Sequence, residues 1–294
     1  MADSISTDIA QVVSDVLGTT RQEAKTIGQL EAALLSLFPA SDAEEWDKTG
    51  LLAGDPHNEI TGIAIGLDAT SEAVQKASDV GANVLLTHHP AFIEPPQQFG
   101  PQSSRCYGSA SVVWEAISQG IALLNIHTAL DVSPLAARVL PTMLGLQLES
   151  ILAPINEAGN KGYGQLCSCE FDSPLKLSQL AARCLSVFGC LPRVYGPASS
   201  NIERIVTCTG SASNLVENCI KEHIDCLICG EVRYHTALDA QSAGLSIIEL
   251  GHDVSELPLC AVLAQVCVST GVAEDQVYLL DQNNTWWTPD AVRQ

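Results

Sequence analysis

Val84-Leu85-Leu86-Thr87-His88-His89-Pro90 is an apolar run that ends abruptly in two adjacent histidines and a proline. A short apolar run bounded by turn residues reads as a buried strand. Its carboxyl end then carries two imidazoles, and in open α/β sheets that edge is where ligands bind. Histidine is also the commonest metal ligand. The pair is either the start of a metal site or two unrelated loop histidines, and its neighbours in the chain decide which.

Upstream, residues 60–67 form a second apolar strand ending in Asp68. Thr70 or Ser71 caps a helix that runs through Val80, with Glu72 in its first turn and Gly81 as its stop. Strand, helix and strand in this order make a βαβ unit with parallel pairing and a right-handed crossover. Asp68 and His88 therefore share one sheet edge. Downstream, residues 93–106 hold Pro95, Pro96 and Pro101 and read as an irregular loop over that edge, a candidate lid. A helix from Ser109 to Gln119 follows. The strand from Ile121 to Ile126 then leads into His127-Thr128-Ala129-Leu130-Asp131. Two strands of one sheet thus end in histidine.

Residues 133–146 read as helix with a break at Pro141. Residues 150–170 read as turns and short strands, and 173–188 as a helix with Pro174 in its first turn. A second strand–helix–strand order spans 202–229 and ends in Gly230-Glu231-Val232-Arg233-Tyr234-His235. Another strand, 245–250, ends in Gly251-His252-Asp253-Val254-Ser255-Glu256. An apolar helix to about Thr270 and a strand at 276–280 complete the order. Near the start, residues 4–18 place Ile5, Ile9, Val12, Val13 and Val16 on one helical face, and Thr26 caps a helix carrying Leu30, Leu34, Leu35 and Phe38. Trp46-Asp47-Lys48-Thr49-Gly50-Leu51 reads as an anchored turn. Domain limits follow: a peripheral helix at 1–25, one α/β lobe at 26–148, a second at 149–272, and a strand and tail at 273–294 with Trp286-Trp287. The fold class is α/β, two interlinked lobes with mostly parallel or mixed sheets.

The chain has 34 acidic against 14 basic residues, a net charge of −20. Such a surface opposes phosphate backbones and anionic lipid, so neither nucleic acid nor membrane is an expected partner. The start lacks a basic region before an apolar core, and the apolar runs are too short to span a bilayer. A cytoplasmic location is expected. The 11 cysteines are odd in number and scattered, and read as reduced, buried small hydrophobes. Cys226 and Cys229 form a CxxC inside a strand, where residues three apart face opposite ways and cannot chelate one ion. No glycine-rich phosphate loop of the Rossmann or Walker kind occurs.

His252 and Glu256 stand at i, i+4, and His127 and Asp131 share that spacing. With His88 and His89 they give more imidazole and carboxylate groups than one tetrahedral ion needs, which suits two metals. Nitrogen and oxygen donors without thiolate favour zinc, iron, manganese, cobalt or nickel over calcium. Paired metals activate water for hydrolysis. Glu231, His235 and Asp68 are placed to orient ligands or act as general acid and base. His57 and His223 lack such context and read as structural or solvated. A non-catalytic metal-binding protein, a chaperone or interaction scaffold, fits the same pattern.

Thr87-His88-His89-Pro90-Ala91-Phe92, His127-Thr128-Ala129-Leu130-Asp131, GEVRYH at 230–235, GHDVSE at 251–256 and WDKTGL at 46–51 together resemble the NIF-three-like metal-binding family, often labelled GTP cyclohydrolase 1 type 2. The resemblance runs over residues 28–272. It implies a dinuclear centre with His88, His89, Asp131, His252 and Glu256 as ligands and Glu256 as the bridging carboxylate. His127 and His235 would line the site. It also implies a small-molecule substrate such as a nucleotide, and a ring-shaped homohexamer with sites facing an inner cavity. Lys48 stands where many members have Asn, and residues 132–138 replace a Gly-Asn element.

Overall fold

The structure, a computed structural model, describes residues 9, 11–13, 24–169, 175–282 and 286–287. In chain order the elements are α1 (Ile27–Leu37), β1 (Gly50–Ala53), β2 (Ile63–Gly66), α2 (Ser71–Asp79), β3 (Val84–Thr87), α3 (Ser109–Ser118) and β4 (Ala122–Asn125). Then come α4 (Thr128–Asp131), α5 (Ala136–Leu144), β5 (Gln147–Pro154), β6 (Gly162–Ser168), β7 (Leu175–Lys176), α6 (Leu177–Phe188) and β8 (Arg193–Tyr195). The last are β9 (Asn201–Ile202), β10 (Arg204–Ser211), α7 (Val216–Lys221), β11 (Cys226–Glu231), α8 (Tyr234–Ser242), β12 (Ser246–Glu249), α9 (His252–Ser269) and β13 (Val277–Leu279). Two compact units divide these elements. One holds Glu45–His127 with residues 24–37 and 266–282, and the other holds Phe38–Glu44 and Thr128–Gln265.

The Glu45–His127 unit has a five-stranded sheet in the order β1-β4-β3-β2-β13. Strands β13, β2, β3 and β4 run parallel, and β1 pairs antiparallel with β4 at the edge. The strand residues of β2, β3 and β4 are all buried, as apolar runs of a covered parallel sheet should be. In register, Gly66 pairs with Thr87 and Thr87 with Asn125. The three strands therefore end level, and the residues that follow them emerge along one edge. Helices α2 and α3 cover a face, packing Ala73, Val74 and Ala77 with Val112, Val113 and Ala116 over Leu85 and Leu123. Thr70 caps α2 by accepting from the Ala73 amide at 3.0 Å. Thr26 and Gln29 form a reciprocal capping pair at α1, Gln29 N donating to Thr26 Oγ1 and Thr26 N to Gln29 Oε1. Residues 93–106 hold neither helix nor strand.

The Thr128–Gln265 unit has a six-stranded sheet in the order β5-β6-β10-β11-β12-β8. Its centre, β10-β11-β12, is parallel and its flanks are antiparallel, so the sheet is mixed. Strand β11 sends Cys226 and Ile228 into one core cluster and Leu227 and Cys229 into the other. The two CxxC sulfurs thus lie on opposite faces. Burial pushes both thiols well above their ordinary range.

Some local expectations change. Residues 150–169 are mostly one long hairpin, β5 with β6, rather than turns and short strands, and residue 170 lies outside the described residues. The glycines that read as turn signals sit in its connection and at the start of β6. Pro141 lies inside α5 rather than breaking it. A proline in a helix costs about 3 kcal/mol, and here the buried face of Val139, Leu140 and Leu144 holds the helix through it. Edge strands β1 and β8 were not anticipated, and α9 begins at His252 itself. Ile9 and residues 11–13 are helical, with Ile9, Val12 and Val13 buried. Ile5, Val16, Ser173 and Pro174 lie outside the described residues. Among the described residues no helix is long and apolar enough to cross a membrane.

Candidate metal centre

The level strand ends of the Glu45–His127 unit present His88 and His89 after β3 and His127 just beyond β4. Their ring centroids are 5.0 to 5.3 Å apart pairwise. One ring nitrogen from each lies within 4.8 Å of the others, close enough to hold a metal ion. Each ring is oriented by an oxygen at Nδ1. His88, fully buried, is 3.0 Å from the Ile126 carbonyl. His89 is 2.8 Å from Asp68 Oδ1. His127 is 2.9 Å from Asp47 Oδ1. A carbonyl or carboxylate only accepts, so each Nδ1 carries the proton and each Nε2 is left as the basic nitrogen. Asp68 follows β2, so the sheet register itself brings it beside His89.

Asp47 enters from the WDKTGL stretch. Its side chain has no solvent exposure. It also accepts from the Lys48 amide at 2.7 Å. Trp46 packs edge-on against His127, with centroids 5.7 Å apart. The anchored-turn reading describes this backbone, but the same turn carries the group that orients His127. The WDKTGL match was the signal for it.

A second set of donors belongs to the Thr128–Gln265 unit. The short helix α4 places Asp131, whose Oδ1 accepts from Thr209 Oγ1 at 3.3 Å. His252 and Glu256 stand one turn apart on α9, with His252 Nε2 3.1 Å from Glu256 Oε2. His252 Nδ1 is 3.2 Å from Glu231 Oε1, at the end of β11. The Glu256 side chain is only 5% exposed. Gly210 backs it in a left-handed conformation with φ +59°, and a Cβ there would lie 2.2 Å from Glu256 Oε1. Ser255 Oγ accepts from the Gly210 amide at 2.9 Å and donates to the His252 carbonyl at 2.8 Å. Thr209 and Gly210 were missed in the sequence because a Thr-Gly pair after a strand is an ordinary turn signal. His235 stands exposed on the first turn of α8, edge-on to Tyr234.

Burial, then Asp131 and Glu256, push the Cys208 thiol up to about 12. It is therefore a neutral thiol near pH 7, and the donors remain nitrogen and oxygen. Tyr163 donates to Glu44 Oε1 at 3.1 Å. Burial and the charges of Glu44 and Asp131 push its phenol upward, so it stays protonated. Imidazoles with fixed tautomers and a glycine-cradled carboxylate fit a borderline divalent cation.

The profile of the Duf34/NIF3 (NGG1p interacting factor 3) family matches residues 25–280. A Streptomyces coelicolor protein described as a GTP cyclohydrolase 1 type 2 homolog is 27% identical over 241 residues, 80% of this chain and 82% of the relative. A Campylobacter jejuni protein of the same description is 28% identical over 232 residues, 78% of this chain and 86% of its own. Among solved structures, a Bacillus cereus protein related to NIF3 superposes with a TM-score of 0.80 at 18% identity, covering 91% of this chain and 100% of that one. A hypothetical protein of Staphylococcus aureus gives 0.78 at 24% identity, covering 90% and 99%. Both structures share the fold. With its profile matched from residue 25 to residue 280, the chain belongs to the Duf34/NIF3 family.

Proposed function

We propose that this chain is a dinuclear-metal-dependent hydrolase, with His88, His89, Asp131, His252 and Glu256 holding two divalent ions and a nucleotide or related small molecule as substrate. The observation that carries this reading is the set of oxygen acceptors at Nδ1. His88, His89, His127 and His252 are each oriented this way, by Ile126, Asp68, Asp47 and Glu231. The exposed His57 makes such a contact too, so burial sets these apart: His88 is fully buried and the His127 and His89 side chains are only 14% and 21% exposed, and metal-ligating histidines almost always have such partners. Bound divalent ions would lower the pKa of a water and polarise the electrophile.

The chain's own residues supply the rest. Asp68, Asp47 and Glu231 hold imidazoles in one tautomer. Glu256, buried and cradled by Gly210, is the proposed bridging carboxylate. Glu231 and His235 are the proton carriers for the leaving group. The relatives' description supports a purine nucleotide substrate opened at its imidazole ring carbon. The native ion is drawn from zinc, iron, manganese, cobalt and nickel. The proposal includes a homohexameric, cytoplasmic protein, and light scattering tests its assembly.

The test is turnover by metal-loaded protein presented with GTP, other nucleotides and phosphoesters. Hydrolysis is expected, falling to background in His252→Ala and Glu256→Ala with the assembly size unchanged. Bound metal with no turnover across the panel would overturn the enzyme reading and leave a metal-binding protein.

A further inference from the structure

Strand β4 ends in a buried polar residue that packing does not require. Asn125 is 1% exposed and stands two residues before His127. Side chains alternate along a strand, so Asn125 shares a face with Leu123, which packs under α2 and α3. Its register partner Thr87 ends β3 in the same way and is equally buried. The last layer of this core is therefore polar. Each of its two side chains grips a carbonyl in a segment beyond the sheet. Thr87 Oγ1 donates to the His89 carbonyl and Asn125 Nδ2 to the Lys48 carbonyl, both at 2.6 Å.

Asn125 uses only half of its amide. Its Oδ1 has no hydrogen-bond partner among the described residues. A buried acceptor left unpaired costs stability, so an apolar side chain would suit this position better if packing alone mattered. The other half of the amide holds Lys48, and only the backbone of Lys48 takes part. Its carbonyl accepts from Asn125, and its amide donates to Asp47 Oδ1 at 2.7 Å. The same Asp47 oxygen is 2.9 Å from His127 Nδ1. Thr49 Oγ1 adds a longer contact to Asp47 Oδ2 at 3.4 Å. Strand β1 then begins at Gly50, which pairs antiparallel with Asn125 itself. Asn125, Lys48, Asp47 and His127 thus close one ring of hydrogen bonds that starts and ends on β4.

We propose that Asn125 is a positioning residue for the histidine cluster. Through the Lys48 carbonyl it holds the Asp47 carboxylate against His127 Nδ1, and so keeps the basic nitrogen of His127 at Nε2. The consequence for metal binding rests on the metal-centre reading above, while the consequence for the tautomer rests on the hydrogen bonds alone. Asn125 acts through Asp47 and not on the ion itself.

Long-range nitrogen–proton NMR of the full-length chain, stripped of metal by a chelator, reads the tautomer of each histidine at about pH 8, above the ordinary imidazole range. Wild type should show His127 protonated at Nδ1. Asn125→Ala and Asn125→Val should each raise the share of His127 protonated at Nε2 and leave His89, oriented by Asp68, unchanged. Thr70→Ala, which removes the α2 cap, should leave His127 unchanged, so loss of stability alone does not produce the shift. If circular dichroism shows that neither Asn125 variant folds, wild type still decides. One Asn125 side-chain amide proton should exchange slowly with solvent, because it is buried and bonded. In competition with a chromogenic chelator, Asn125→Ala should bind zinc about tenfold more weakly than wild type. Added to Asp47→Ala, it should cost no more than about twofold further, since the two act in one chain. Two losses that multiply would overturn the proposal, as would an unchanged His127 tautomer in both variants or a fast-exchanging Asn125 amide. A chain that binds no zinc yet shows the tautomer shift would remove the metal reading and leave the role of Asn125 standing.

Discussion

The Asp47 carboxylate has no solvent exposure and is 2.9 Å from His127 Nδ1. His57 and Asp55 make a pair of the same length on the surface, with side chains 90% and 59% exposed. Geometry is alike in the two, and burial separates them, because an exposed pair contributes little. Asp47→Ala should therefore weaken zinc binding by about 10- to 100-fold, measured by competition with a chromogenic chelator, whereas Asp55→Ala should leave it unchanged. Equal affinities in the two variants would remove the orienting role. Gly210→Ala makes a different demand. Its Cβ would lie 2.2 Å from Glu256 Oε1 at φ +59°, and Glu256 is buried. The variant should lose metal affinity as well as about 1–3 kcal/mol of stability. Gly244→Ala, at φ +90° with nothing within 4 Å, should be strained but bind metal normally, so equal metal affinity in both would count against the cradle. The histidines and Glu256 were legible in the sequence because their spacing and strand-end positions are local. Asp47 was legible only through the WDKTGL resemblance, because it lies 80 residues from His127 and only the fold brings the two together.

Most of the strands that could be read in advance are those that the sheets bury, the half-exposed β13 being legible as well. β2, β3 and β4 are buried throughout, and β11 for all but its last residue. A largely apolar run marks each, and only in β2 do glycines bound it on both sides. β5 and β8 are largely exposed or half-buried, so their sequences carry no such run, and pairing with a neighbour makes them strands. Helix starts were legible for another reason, since the cap is a local chemical event. Thr70 accepts from the Ala73 amide at 3.0 Å, and losing an N-cap acceptor costs about 1 kcal/mol. Urea unfolding should show Thr70→Ala destabilised by about that much and Thr70→Ser within a few tenths of wild type. If Thr70→Ala unfolds at the wild-type urea midpoint, the cap does not hold the start of α2.

Buried thiols link the whole molecule to pH. Burial foremost pushes Cys167, Cys184, Cys208, Cys219 and Cys267 from an ordinary 9.0 up to about 12. Cys226 and Cys229 are pushed well above the ordinary value. Below pH 9 both folded and unfolded chains hold these protons, and the folded state keeps its full stability. Above it the unfolded chain releases them while the folded chain does not. The unfolded state then binds fewer protons, so stability falls as pH rises. Each such thiol removes about 1.4 kcal/mol per pH unit, and five together remove about 7 kcal/mol per unit. A stability of roughly 5–15 kcal/mol is exhausted within about two units at that slope. The net charge of −20 adds self-repulsion as thiolates form. Circular dichroism under reducing conditions should therefore show cooperative alkaline unfolding with a midpoint between about pH 10 and 11.5. Cys219→Ala and Cys267→Ala, each removing one withheld proton, should move that midpoint upward. A chain still folded at pH 12, or variants that leave the midpoint in place, would show that burial does not hold these protons.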